Sequence, residues 1–315
     1  MAAAPCMRRG AAVLSLFQTT MNVLVIIVSY NFMPWIDRCL DSLRQSQLKA
    51  DVMVIDNASV DATVATVRKR YPEVKLVVNK ANLGFGRANN IGMKYALDHG
   101  YDGVLLLNED AWVNPDVIGH LSSLAVRHPE YGILSPVHLT GSGKTLEHGF
   151  ATYAHLQSTA DLPDGEVVDA GFIDAAIWYL PMGSIRRVGM FAPLFYHYGE
   201  DKDYCNRMAF HGLKVGYVPS VFGFHDRENR KVTRSGRSRA EWVYMLSEYA
   251  NVCYSLPKAF AMSVLATCKK VMQSLVRGHL RDACSFMAIA FRLLGKTGAV
   301  IRTRRDSVKT PACPS

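Results

Sequence analysis

The 315-residue chain has no CxxC pair among its seven cysteines, Cys6, Cys39, Cys205, Cys253, Cys268, Cys284 and Cys313. Their odd number and wide spacing exclude a zinc knuckle and a disulfide framework, and they fit a reducing compartment. No GxxxxGK[ST] run occurs, which excludes a P-loop nucleotide hydrolase. No GxGxxG follows the first apolar run, so a dinucleotide oxidoreductase is disfavoured as well. No uninterrupted apolar stretch reaches the roughly 18 residues of a membrane span. No internal repeat is visible.

Charge of one sign is scarce in the last third. From Asp226 to Ser315 there are 17 Lys+Arg and only 6 Asp+Glu, against 19 and 21 in the rest of the chain. A near-neutral body thus carries a strongly basic C-terminal region, which points to an acidic partner. Hydrophobic residues make up 49% of the sequence, enough for a large buried core. Arg8 and Arg9 before Ala11–Phe17 give residues 1–20 a faint likeness to a signal peptide. The preferred expectation is that Met21 begins the native chain and that residues 1–20 are an extension.

Short apolar runs alternate with helical patterns over residues 22–136. Val23–Ser29, Val52–Asp56, Lys75–Asn79, Val104–Asn108 and Gly132–Pro136 read as strands. Pro34–Gln45, Asp61–Tyr71, Phe85–His99 and Pro115–His128 read as helices between them. This pattern predicts an α/β fold, a mostly parallel sheet flanked by helices. Residues 137–175 are read as a loop or hairpin insertion. Further strands are expected at Ile173–Leu180, Lys214–Val218 and Val221–His225, with a helix from Glu200 to about His211. Asp226–Arg239 reads as a basic loop, and residues 240–315 as a helical extension of the domain at 21–239.

Ligands of open α/β sheets gather at the carboxyl ends of the strands, and polar residues follow each apolar run here. Asp56 ends the second run, where its carboxylate can accept hydrogen bonds from a nucleobase imide or a ribose. Capping of the next helix, which Asp61 could also supply, accounts for it equally well. Asn82-Leu83-Gly84-Phe85-Gly86 opens a helix with the backbone freedom that close approach to an anion needs. Asn108-Glu109-Asp110 places hard oxygen donors after three leucines, suited to Mg²⁺ or Mn²⁺ with substrate phosphates; turn formation is the alternative. Glu200, Asp201 and Asp203 cluster at a helix start. There they suit the helix dipole, or repel one another enough to raise a pKa and yield a general base. His225, after Val221-Phe222-Gly223-Phe224, is a candidate metal ligand or a structural histidine.

Taken in order, these signals resemble the family 2 glycosyltransferases, inverting nucleotide-sugar enzymes of the GT-A fold. The resemblance runs from about residue 22 to 225. It rests on Val28-Ser29-Tyr30-Asn31, Val54-Ile55-Asp56-Asn57-Ala58-Ser59-Val60-Asp61, Asn82-Leu83-Gly84-Phe85-Gly86, Leu107-Asn108-Glu109-Asp110 and Gly199-Glu200-Asp201-Lys202-Asp203. Bacterial rhamnosyltransferase-like members look most similar, although they commonly carry Asn-Pro-Asp where this chain has Asn108-Glu109-Asp110.

The resemblance implies that Ser29, Tyr30, Asn31, Asp56, Asn57, Asn82, Gly84, Asn108 and Glu109 bind the donor. Asp110, helped by His225, is then the metal carboxylate. Asp201 is the base by its place in the motif, with Glu200 and Asp203 as rivals. The implied donor is dTDP-rhamnose, with a UDP-hexose or UDP-galactofuranose as the runner-up. Asp174–Gly183 is expected to floor the pocket, with Trp178 or Tyr179 either an apolar wall for a deoxy sugar or equally part of the core.

The acceptor is expected to be a lipid-linked saccharide of cell-surface polysaccharide synthesis, met at the cytoplasmic face of the plasma membrane. Ala259–Cys268 and Ala283–Phe291 are too short to span a bilayer. Their basic borders suit peripheral attachment to an anionic membrane through residues 257–305. Packing on the catalytic domain or on a second subunit, as a homo-oligomer, is the competing use. Two other classes remain. One is a nucleic-acid binder using Arg227, Arg230, Lys231, Arg234, Arg237 and Arg239, disfavoured because no aromatic residue is interleaved. The other is a non-catalytic nucleotide-sugar binder, disfavoured by the intact carboxylates Asp110 and Asp201.

Overall fold

A computed structural model describes residues 21–228 and 234–309. The expected extension at residues 1–20 therefore lies outside the described residues, as do Arg230, Lys231 and the side chains of Arg234 and Arg237. The elements run β1 (Val23–Ser29), α1 (Ile36–Arg44), β2 (Asp51–Asp56), α2 (Thr63–Arg70), β3 (Lys75–Val78), α3 (Phe85–Asp98) and β4 (Gly103–Asn108). They continue with β5 (Ala111–Val113), α4 (Val117–Arg127), β6 (Tyr131–Thr140), α5 (His148–Ala154), β7 (Val168–Asp169), β8 (Ile177–Pro181) and α6 (Met182–Val188). The last are α7 (Glu200–Phe210), β9 (Lys214–His225), α8 (Arg234–Ala250), α9 (Leu256–Val276) and α10 (Leu280–Ser307).

All the strands form one sheet in the order β3-β2-β1-β4-β8-β6-β9-β5, with β7 paired to β9. The half β3-β2-β1-β4 is parallel. The other half is mixed, because β8 runs antiparallel to β4 and β6, and β5 and β7 run antiparallel to β9. The two strands expected at Lys214–Val218 and Val221–His225 are one strand, β9. Its pairing to β6 shifts register between Pro136 and Val137.

The period-2 alternation of β1 fills two cores. Val23, Val25 and Ile27 face α1 and α4, whose Leu40, Leu43, Ile118 and Leu121 are buried with them. Leu24 and Ile26 face α3 and the α6–α7 layer. The same alternation decides Trp178 and Tyr179, neighbours on β8 that are both wholly buried. Trp178 stacks near Phe191 and Tyr204. Tyr179 packs in the opposite core, where a Cβ on Gly103 would come within 2.4 Å of its hydroxyl. Both rings are therefore core, the second of the two uses expected for them from the sequence.

The turns after β1 and β2 are stitched together. Asn31 N donates to Ser59 Oγ at 2.8 Å, and Val60 N donates back to Asn31 Oδ1 at 3.0 Å. Phe32 N donates to Thr63 Oγ1 at 2.8 Å. Asn31 and Ala58 both adopt left-handed backbone, with φ of 60° and 65°. Such conformations persist in non-glycine residues when surrounding bonds fix them.

The C-terminal helices are longer than their uncharged runs. α8 starts at Arg234, inside the stretch read as a loop, and α9 and α10 have 21 and 28 residues. The sequence reading took both later segments as too short to span. Among the described residues α10 is long and apolar enough to cross a membrane, by length and composition. The three helices share a small core of their own with Ala192 and Phe195. Arg304 is turned inward onto the carbonyls of Asn251 and Tyr254.

Candidate active site

A cavity of about 780 Å³ opens at the carboxyl ends of β1 and β4. Ser29, Tyr30, Asn57, Asn82, Gly84, Asn108, Glu109, Asp110, Glu200 and Asp201 all border it. Ten of the residues singled out from the sequence, on five separate segments, therefore meet in one place. Asn31, Asp56, Asp203 and His225 do not border it.

The Asn82–Gly84 loop is held from two sides. Asn57 Oδ1 accepts from Asn79 Nδ2 at 2.9 Å and from Leu83 N at 3.3 Å, while Asn82 Oδ1 accepts from Gly84 N at 2.9 Å. Tyr196 donates its hydroxyl to Asn82 O at 3.1 Å. Gly84 has φ of 79°, and a Cβ there would sit 1.8 Å from Tyr196 O, so only glycine fits.

Asp56 does not present a free carboxylate. It is wholly buried, accepting from Ser59 N at 3.0 Å and Ser29 Oγ at 3.3 Å and making a further short bond to Ser59 Oγ. In this structure it anchors the turn after β2, which corrects the picture of an exposed strand-end acceptor. Glu109 accepts from Tyr30 N at 2.6 Å. Burial, reinforced by the charges of Asp110 and Asp56, pushes its pKa up to about 8.

Asp110 follows β4 and is drawn to the end of β9 by the β5–β9 pairing, Ala111 opposite His225. Its Oδ1 lies 3.3 Å from His225 Nε2. Burial works to raise the Asp110 pKa, but the His225 ring and the Arg227 charge outweigh it and hold it below the usual value. Both ring nitrogens of the fully buried His225 lack an aligned hydrogen-bond partner. Behind the ring, Asp174 Oδ2 lies 4.0 Å from His225 Nδ1 and 3.4 Å from Arg227 Nη1, and Asp174 Oδ1 lies 3.5 Å from His138 Nδ1. Burial opposes the Asp174 charge, yet these three partners bring its pKa down to about 2.

Glu147, Asp174 and His225 offer ligand atoms within 4.8 Å of one another. Glu147 already caps α5, accepting from Phe150 N at 2.8 Å. Asp110 and Asp174 both border the cavity beside His225, Asp110 at 3.3 Å from Nε2 and Asp174 at 4.0 Å from Nδ1, where it also faces Arg227 and His138. A carboxylate next to an imidazole with unpartnered nitrogens fits a small divalent cation such as Mg²⁺ or Mn²⁺.

Opposite this group, Gly199 in left-handed backbone (φ 86°) leads into α7, which delivers Glu200 and Asp201 to the cavity. Burial raises the Asp201 pKa to about 6, and burial plus the Asp201 charge raises that of Glu200 to about 8. Asp203 is placed elsewhere. It is buried in an ion pair with Arg207, Nε to Oδ2 at 2.9 Å, so it is withdrawn as a rival base.

Sequence reasoning missed Trp35, Tyr153, Asp226 and Arg227, which also border the cavity, and gave Asp174 only as part of a floor. Asp226 accepts from Trp35 Nε1 at 3.0 Å. Arg227, read as part of a basic loop, is turned toward Asp174 instead. The doublet Asp226-Arg227 directly after the His225 strand was the available signal.

Residues 24–159 match the profile described as glycosyl transferase family 2. The chain is 27% identical over 234 residues to the N-acetylglucosaminyl-diphospho-decaprenol L-rhamnosyltransferase of Mycobacterium tuberculosis, covering 64% of this chain and 75% of that one. It is 26% identical over 212 residues to the undecaprenyl-phosphate mannosyltransferase of Micrococcus luteus, covering 64% and 84%. Among solved structures, the mannosyltransferase PcManGT from Pyrobaculum calidifontis, in complex with GDP-Man and Mn²⁺, is similar with a TM-score of 0.54. That match has 17% identity and covers 87% of this chain and 86% of that one. S. aureus TarS 1–349 in complex with UDP has a TM-score of 0.51 at 14% identity, covering 76% and 69%.

Proposed function

This chain is a family 2 glycosyltransferase of the GT-A fold, and we propose that it moves rhamnose from dTDP-rhamnose to a hydroxyl of a lipid-linked saccharide, with inversion, in cell-surface polysaccharide synthesis. The observation that carries the reading is the two-sided cavity, with Asp110 and His225 on one wall and Glu200 and Asp201 on the other. Support for the rhamnosyl donor comes from the rhamnosyltransferase of Mycobacterium tuberculosis, and support for a lipid-linked acceptor from that relative and the Micrococcus luteus mannosyltransferase.

The donor nucleotide lies against Ser29, Tyr30, Asn57 and the Asn82–Gly84 loop. Asp110 and His225 would hold Mg²⁺ or Mn²⁺, which when bound offsets the charge of the departing nucleoside diphosphate. Arg227 adds a fixed positive charge at the same wall. The acceptor oxygen attacks the anomeric carbon from the opposite face, the bond to the diphosphate breaks, and Asp201 takes the acceptor proton. With a pKa near 6 Asp201 is ionised at neutral pH, whereas Glu200 near 8 keeps its proton. That difference favours Asp201 as the base. A lipid-linked acceptor puts the work at the cytoplasmic face of the membrane.

The test is release of nucleoside diphosphate by the purified protein over a panel of donors: dTDP-rhamnose, UDP-hexoses, UDP-galactofuranose and GDP-mannose. Turnover that is fastest with dTDP-rhamnose is expected. Preference for a UDP sugar would move the donor assignment and keep the reaction. No turnover with any donor would leave the non-catalytic binder.

A further inference from the structure

Helix α9 is built inside out. It buries Ala259, Ser263, Thr267 and Ser274. Ser263 donates to Met245 O and Thr267 to Ser263 O, so the hydroxyls are satisfied internally. Leu256 and Phe260 at its start pack inward, but beyond them its large apolar side chains are turned out: Leu265 is 65% exposed and Val276 85%. α10 carries an exposed row of its own, Leu280 at 66%, Met287 at 45% and Phe291 at 74%, spaced by seven and four residues on one helical face. A helix of a water-soluble domain does the opposite, turning its apolar stripe inward and its hydroxyls outward. Small and hydroxyl residues between helices, with large apolar ones outside, are the pattern of helices packed in lipid. Large apolar side chains exposed in rows on two packed helices mark an interaction site.

Charge selects the occupant. Residues 251–309 carry eleven Lys and Arg against two Asp. Arg304 is turned inward, Arg292 lies over Trp242 and Lys270 pairs with Glu241. Lys269, Arg281 and Lys296 on these two helices, and Arg277 in the turn between them, are exposed. A second copy would bring the same excess of cations to the contact and repel it. An anionic bilayer supplies both an apolar phase for the ridge and counter-charges at its border.

We infer that the α9–α10 hairpin lies in the interface of one leaflet of an anionic membrane, with the side chains of Leu275, Val276 and Leu280 in the apolar phase and the cations Arg277 and Arg281 at the headgroups. This deepens the proposed function, resting on its lipid-linked acceptor, by naming the surface that brings the enzyme to its substrate.

Flotation of the full chain with vesicles of phosphatidylcholine, with and without phosphatidylglycerol, tests it. The intact protein is expected to float with the phosphatidylglycerol vesicles at low salt. Changing Leu275→Gln, Val276→Gln and Leu280→Gln together should lower partition by about tenfold or more, without altering circular dichroism. Arg277→Gln with Arg281→Gln should reduce the preference for phosphatidylglycerol. An intact chain that stays with the soluble fraction overturns the inference. So does a dimer, seen by sedimentation without vesicles, that the triple glutamine variant dissociates. Nucleoside diphosphate release with a soluble acceptor is measured alongside. Protein that is active yet ignores vesicles overturns the anchor alone, and protein that floats yet acts on no donor overturns the reaction alone.

Discussion

The Asp110 carboxylate and the His225 imidazole lie 3.3 Å apart, and the three-residue strand β5 is what joins them. Asp226 N also donates to Asp110 O at 2.8 Å, closing the backbone around the pair. A negative oxygen and a buried imidazole are thus held together by main-chain pairing rather than by flexible side chains.

Asp110→Ala is expected to abolish divalent-cation binding and to lower turnover about a thousandfold, with the fold retained. Calorimetric titration with Mn²⁺, followed by an assay in excess chelator, checks both parts. Full activity of the wild-type protein in chelator would contradict it.

Asp201→Asn and Asp203→Asn should separate chemistry from stability. The first is expected to lower turnover about 10²–10⁴-fold while donor affinity is kept. The second strands the buried Arg207 guanidinium and should cost about 3–5 kcal/mol of stability. Urea unfolding and single-turnover rates distinguish the two. Equal effects of both variants on both readouts would undo the assignment.

The Asp201 pKa near 6 sets a pH limit on the reaction. A base must be ionised, so turnover should fall roughly tenfold per pH unit below about 6 and level off above it. In Asp201→Asn that limb should be missing. A wild-type profile flat down to the ordinary carboxylate range would assign the base elsewhere.

Glu200 is raised from its ordinary 4.5 to about 8, chiefly by burial. Between those values the folded protein keeps a proton that the unfolded chain has released, so stability falls as pH rises through the window. Glu200→Gln carries no such proton. Its advantage over the wild type should grow from near zero below the window to the order of a few kcal/mol at its top. Denaturant midpoints across the pH range measure this, and a difference independent of pH would refute it.

Gly84→Ala is expected to push the Asn82–Gly84 loop off Tyr196 and to weaken donor binding by about tenfold or more. A left-handed φ and a 1.8 Å approach leave a methyl group no room. Titration with the donor nucleotide gives the affinity. Wild-type affinity in the variant would mean that the loop yields.

Strand-end residues were legible because an apolar run followed by polar oxygens has one geometric meaning in a parallel sheet. That is how Ser29, Asn57, Asn108 and Asp110 were found together. Asp203 was misjudged because helical rotation puts positions two apart roughly 200° apart, so Asp201 and Asp203 face opposite ways. Trp178 and Tyr179 stayed open between wall and core, because only the sheet's two covered faces show that adjacent strand residues enter opposite cores. Asp174 and Arg227 required long-range pairing of β9 to be known, and β5 is too short to leave a periodicity. The inverted α9 was hidden because composition does not say which face of a helix is covered.

The reciprocal bonds between Asn31 and the Ser59–Val60 turn make the loops after β1 and β2 a single latch. Neither can be exchanged alone, since a first loop lacking the Asn31 amide would leave Val60 N without its acceptor, and a second loop lacking the Ser59 hydroxyl would leave Asn31 N without its own. Remodelling donor choice by transplanting loops from a relative therefore calls for both segments to travel together, as one cassette.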